Sequence, residues 1–182
     1  MATKHLRPLG SKAKRLYVSI MFQVMGRALQ AVSEVDDEVC NEARPLPNGF
    51  LFQMMVMPCG ASLVIEHVGN GRFKYHSEEA PRPIDLSIKF KHLEHAFLVL
   101  SFQEKTSVAF ANDRMLVDGD ISYAVRMTRI LNRLEAFILP KIVAERAVKA
   151  YPHNLQLPEK LISAARIYLK VATHFIKTAR AS

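Results

Sequence analysis

No tryptophan occurs in these 182 residues, and only two cysteines do, Cys40 and Cys59. Two thiols cannot build the multi-bridge framework of a small secreted scaffold. Cys59 stands in a Met-Pro-Cys-Gly turn, so no Cys-x-x-Cys or zinc-ribbon spacing exists either, and a reducing compartment is expected. Long apolar runs are also missing. Leu16 to Met25 is interrupted by Ser19 and Gln23, whereas a membrane span needs ~20 mostly apolar residues. The same interruptions argue against a leader peptide, despite the basic start. Gly-x-Ser-x-Gly, His-Glu-x-x-His, Walker and Gly-x-Gly-x-x-Gly signatures are absent, and the serines have no activating context. An enzyme is therefore not expected, and neither a catalytic residue nor a cofactor is assigned.

Acid is scarce at the two ends. Residues 1–33 carry six Lys/Arg and no acid, and residues 121–182 carry eleven bases against three acids. The middle compensates: 34–44 has five acids and one Arg, and 45–120 has nine acids and seven bases. Basic ends attract nucleic acid or an anionic membrane surface. The arginines are not interleaved with exposed aromatics in a nucleic-acid-binding module, so nucleic acid is not an expected partner.

What is present is enough apolar material for a core: 49% hydrophobic residues against 23% charged, with 10 Phe and 8 Met. Residues 11–32 predict a helix with Ser11 as N-cap. The acidic stretch 34–49, with Pro45, Pro47 and Gly49, reads as a linker. Strands are predicted at 50–57, 61–68, 72–77 and 84–91, the middle two forming a hairpin about Gly69-Asn70-Gly71. Ile84, Leu86, Ile88 and Phe90 alternate with Asp85, Ser87, Lys89 and Lys91, the mark of a sheet with one wet face. A helix at 92–103, a helical turn at 105–111 and a strand at 114–118 follow. Residues 121–139 predict a long helix stopped by Pro140, with Arg126, Arg129 and Arg133 on one stripe. Residues 158–181 predict a last helix, with Pro158 at a tolerated first position and a stripe of Arg166, Lys170 and Lys177.

Two constellations invite a chemical reading. Asp118-Gly119-Asp120 has the look of a metal-binding pair, but no further oxygen ligands are marked. As a corner, Gly119 permits the turn and Asp120 caps the helix starting at Ile121. His92-x-x-His95 lacks a third ligand and reads as surface histidines at a strand-to-helix junction. No metal is expected. The Met54-Met55-Val56-Met57 strand and the many-sided apolar helix 121–139 differ. A plain core explains much of their apolar surface, and the surplus is what an internal lipid cavity or a membrane-facing edge needs.

The stretches SLVIEHVGNGRFKYH, IDLSIKFKHLEHAFLVL and VAFANDRMLVDGDISYAV together resemble the sterol carrier protein family, the type-two sterol-carrier or non-specific lipid-transfer domain, over about 48–139. A strand leading through Gly-Asp into the last long helix is the family's recurrent ending, matched here by Gly119-Asp120. Asp113-Arg114 stands where the family often has Gly-Lys. The resemblance implies an α+β fold, a small twisted, mainly antiparallel sheet covered by helices around an apolar tunnel, with added N- and C-terminal helices. It also implies no catalytic residues. Length and layout are similar to bacterial members that serve as accessory proteins of ubiquinone synthesis.

Three parts are expected: an N-terminal helix and acidic linker (1–45), a sterol-carrier-like lipid-binding domain (46–152) and a C-terminal basic helix (153–182). The expected function is non-catalytic carriage of a hydrophobic lipid (fatty acyl, phospholipid, or isoprenoid or quinone precursor), with apolar tails near Met55, Met57, Phe97, Phe110, Met127, Leu131 and Leu134. Lys12, Lys14, Arg15, Arg166, Lys170 and Lys177 are expected to face solvent and to favour peripheral docking on an anionic membrane surface. The expected place is the cytoplasm, peripheral at the inner membrane, with protein partners in lipid or quinone synthesis. The alternative is an adaptor holding membrane-bound biosynthetic enzymes together, its cavity vestigial.

Overall fold

The computed structural model describes residues 10–138. The expected helix at 158–181, with Arg166, Lys170 and Lys177, lies outside them. Helix α1 runs Ser11–Val35, with Gly10 at the N-cap and no side-chain cap bond. Ser11 is thus the first helical residue and not the expected cap. The acidic stretch is no plain linker: Asp37–Ala43 form a second helix, α2. Asp36 caps it, its carboxylate accepting from the Val39 N–H at 2.9 Å, with Asp37 and Glu38 favourably placed in the first turn.

Five strands follow the order β3-β2-β1-β4-β5. They are β1 (Leu51–Val56), β2 (Ser62–His67), β3 (Phe73–Tyr75), β4 (Leu86–Phe90) and β5 (Met115–Gly119). β1 pairs in parallel with β4, and the other three pairings are antiparallel. The fold is α+β with an open, mixed, mainly antiparallel sheet. The parallel pair requires a crossover, supplied by the β2–β3 hairpin and the 77–85 segment. At the hairpin tip Gly69, Asn70 and Gly71 all take positive φ, as residues without a branched Cβ can.

Register fixes which side chains meet the helices. Phe52 stands opposite Leu86 and Ile65, Met54 opposite Ile88 and Leu63, and Phe90 opposite Met115. This face joins Phe22 and Leu29 of α1, and Met127, Ile130 and Leu134 of α5 (Ile121–Ile138), in one core. The other face is wet only in part. Leu51, Val64 and Ser87 are buried at its centre, where Asp85 accepts from the Leu51 N–H at 2.7 Å. Helices α3 (Leu93–Leu100) and α4 (Thr106–Ala111) connect β4 to β5. Before β5, Asp113 has φ +57, the left-handed turn a glycine would fill and an aspartate tolerates.

Gly26 lies inside α1, where glycine ordinarily costs ~1 kcal/mol relative to alanine. Its reason is the Tyr75 ring of β3, which occupies the space a Cβ would need. Gly26→Ala should therefore reverse the usual sign, because overpacking costs ~1–3 kcal/mol and outweighs the helix gain. A lower melting temperature is expected, with recovery when Tyr75→Leu is added. A rise for the single variant would mean that this contact is loose.

Candidate functional site

Two hollows among the described residues stand out. The larger, about 260 Å³, is a surface depression at the end of β1, bounded by Arg15, Leu93 and the 57–61 turn. The smaller has about 50 Å³ of free space but lies between the sheet and the helices. Its chemistry singles it out. Met54 of β1, Ile88 and Phe90 of β4 and Met115 of β5 form the floor. Met21 and Met25 of α1, one helical turn apart, form one wall, and Leu131 of α5 faces them. Val99, Leu100 and Phe102 close the end by α3. Four of the eight methionines meet here, and unbranched thioethers can re-pack around shapes that β-branched side chains cannot.

Phe102 reaches the crevice from a left-handed backbone, φ +59. That conformation costs a bulky residue of order 1–3 kcal/mol. Its N–H donates to Val99 O at 3.0 Å and the next N–H to Leu98 O at 3.0 Å, so the end of α3 is closed by the same turn that places the ring.

The polar side chains of the lining are Thr106 of α4 and, together on one side of α5, Thr128, Asn132 and Glu135, which form its polar rim. Thr128 donates to Ala124 O at 2.8 Å. Glu135 has no hydrogen-bond or ion-pair partner among the described residues, and burial pushes its carboxyl up from an ordinary 4.5 to about 7.

The opposite side of α5 is clasped by α2. Arg133 meets Asp36 at 3.0 Å and Glu38 at 2.9 Å, while Arg126 and Arg129 reach Glu42 at 3.5 and 3.4 Å. The arginine stripe read from the sequence is thus neutralised by the acidic stretch. Ile130 and Phe137 lie beside those arginines and are buried in the core. Tyr123 packs edge-on against Phe50 at 5.0 Å. The large apolar side chains that the described part of α5 leaves exposed are Ile121 and Val125.

The residues expected to touch apolar tails are dispersed. Leu131 lines the crevice. Met127 and Leu134 are on the same helix, fully within the core. Met55 stands on the far face of the sheet, opposite Ser62 and Lys89, and Met57 borders the larger hollow. Phe97 packs edge-on against Tyr17 at 5.4 Å, beneath Lys14. Phe110 is 55% exposed on α4. Of the expected solvent-facing cations that lie among the described residues, Lys12 and Arg15 are exposed, while Lys14 is drawn in and paired with Glu94.

Asp118 pairs with Lys89 at 2.6 Å. Asp120 accepts from the Ser122 N–H at 2.6 Å, the bond of a helix cap, and its pKa is lowered by the bonds from Ser122. Gly119 has φ +131, and a Cβ there would meet Asp85 O. The corner fills all three positions with structural roles. The rings of His92 and His95 are 5.1 Å apart, and among the described residues no group of three His, Cys, Asp or Glu is placed to hold a metal ion. No helix among the described residues is long and apolar enough to cross a membrane.

No protein-family model matches the sequence, and no curated protein matches it. Among solved structures the chain is similar to sterol-carrier domains. A UbiJ-SCP2 ubiquinone synthesis protein aligns at 11% identity over 67% of this chain and 98% of that one, TM-score 0.44. Palmitated SCP2L2 from Aedes aegypti aligns at 14% over 59% and 90%, TM-score 0.41. The apo form of sterol carrier protein 2 from Yarrowia lipolytica aligns at 16% over 60% and 92%, TM-score 0.42.

Proposed function

We propose that this protein is a non-catalytic carrier that holds the apolar chain of a lipid in the methionine-lined crevice. The observation supporting this is the convergence of Met21, Met25, Met54 and Met115 with Phe90 and Leu131 about an apolar space that opens to solvent along one rim. Burying a chain there is favourable by ~0.8 kcal/mol per CH₂. The crevice as it stands, about 50 Å³, is too small for a lipid chain, since lipid-sized sites measure ~300–1,000 Å³. Loading therefore needs α5 and the 101–106 segment to part from the sheet. The methionines accommodate this by changing rotamer, and core packing elsewhere holds the frame.

Transfer would take place at a membrane surface by peripheral docking. Ile121 and Val125 stand exposed on the side of α5 that continues to Thr128 and Asn132 at the rim. Lys12 and Arg15 with Leu16 and Ile20 form a second exposed basic and apolar surface on α1, and each cation near an anionic bilayer contributes ~1 kcal/mol.

The test is titration of the delipidated full chain with a fluorescent isoprenoid alcohol. Saturable binding is expected, weakened at least several-fold by Leu131→Gln with the fold kept, as shown by circular dichroism. Absence of saturable binding to a folded chain would remove the carrier reading.

A further inference from the structure

We infer that Glu135, Asn132 and Thr128 form a headgroup site for a lipid whose polar end is an uncharged hydroxyl, and that the same rim turns away lipids ending in phosphate. This rests on the carrier reading above and narrows it to a class of ligand. An apolar tail lying on Met54, Phe90 and Met115 leaves its polar end at the rim, because that is where the polar groups of the lining are gathered. There the α5 face offers a carboxyl without a partner among the described residues, flanked one turn earlier by the Asn132 amide and two turns earlier by the Thr128 hydroxyl. A ligand hydroxyl has one proton to donate and lone pairs that accept. Glu135 accepts the proton and Asn132 donates its amide N–H, so both partners are satisfied.

Charge decides what is excluded. The described lining holds no lysine, arginine or histidine. The neighbouring cation on α5, Arg133, is engaged by Asp36 and Glu38. An anionic headgroup would meet a carboxylate with no cation in the described lining to offset it, in surroundings where burial already disfavours one negative charge. Uncharged hydroxyl ends meet no such penalty, whether the carboxyl is ionised or protonated.

Competition against a neutral fluorescent apolar dye, N-phenyl-1-naphthylamine, tests this with the delipidated full chain at about pH 8, where Glu135 is ionised. Hexadecanol and hexadecyl phosphate share one chain and differ in the headgroup. Hexadecanol should displace the dye at roughly tenfold lower concentration, since like charges near 4 Å at the protein surface oppose binding by more than 1 kcal/mol. Glu135→Gln should close most of that gap by improving the phosphate, because the amide carries no charge and can donate an N–H to a phosphate oxygen. Equal displacement by both compounds in the parent chain, or a gap unchanged in Glu135→Gln, would overturn the headgroup site and leave the carrier reading standing. A dye that does not bind the folded chain would overturn the carrier reading itself, and the headgroup site with it.

Discussion

Arg133→Met is expected to destabilise the protein by about 3 kcal/mol, the range for removing one partner of a largely buried ion pair. Both side chains are withdrawn from water, Arg133 at 12% and Asp36 at 9% exposure, so the loss leaves the Asp36 carboxylate desolvated and short of its cation. The guanidinium also lies 5.3 Å from the centre of the Phe137 ring, so its planar stem contributes packing as well as charge. Arg129→Met provides the contrast. That arginine is 61% exposed against Glu42, and a pair of that kind is worth about 0–1 kcal/mol. Urea denaturation of both variants should separate them by a factor of several. Asp36→Asn retains the cap on α2, because asparagine caps nearly as well, while removing the stranded charge. Arg133→Met with Asp36→Asn should thus recover much of the loss. If Arg133→Met and Arg129→Met cost the same, α2 does not clasp α5 through this pair.

The clasp shows how much the sequence disclosed. Local signals carried far: the hairpin at Gly69-Asn70-Gly71, the Leu86-Ile88-Phe90 alternation and the Gly119-Asp120 corner all stand where turn chemistry and period place them. The acidic stretch misled because Pro45, Pro47 and Gly49 dominate its end, though Asp36 followed by two acids already spelled a helix start. The pairing of Arg133 with Asp36 spans 97 positions, and nothing local announces it. Nor could spacing alone say which of Met54 and Met55 faces the helices. That depends on the parallel β1–β4 register, which turns Met54 toward Ile88 and Met55 toward Lys89. The crevice was the least legible part, since Met21 and Met25 belong to a helix that looked separate from the lipid-binding domain. Glu135 was overlooked for a related reason. Its only signal was a lone acid one turn beyond Leu131, and a solvated face explains such an acid equally well until the sheet is seen.

That acid sets the pH dependence of stability. Glu135 titrates at about 7 in the folded chain against 4.5 as an ordinary glutamate, raised by burial. The folded state therefore holds a proton between these values that the unfolded chain has released, and stability falls as pH rises through that window. The contribution is fully present below pH 4.5 and lost above pH 7. A shift of that size corresponds to ~3 kcal/mol at most, and about 2 kcal/mol once partial exposure at the rim is allowed for. The parent profile sums the contributions of every titratable group, so it alone does not isolate this one. The difference between parent and Glu135→Gln does, because every other group is common to both. Glutamine cannot ionise and keeps nearly the same volume. Chemical denaturation at about pH 5 and pH 8 should show the variant gaining on the parent by about 2 kcal/mol between the two, and standing above it at the higher pH. A constant difference across that range would mean that the carboxylate is solvated when ionised, the rim standing open to water around Glu135.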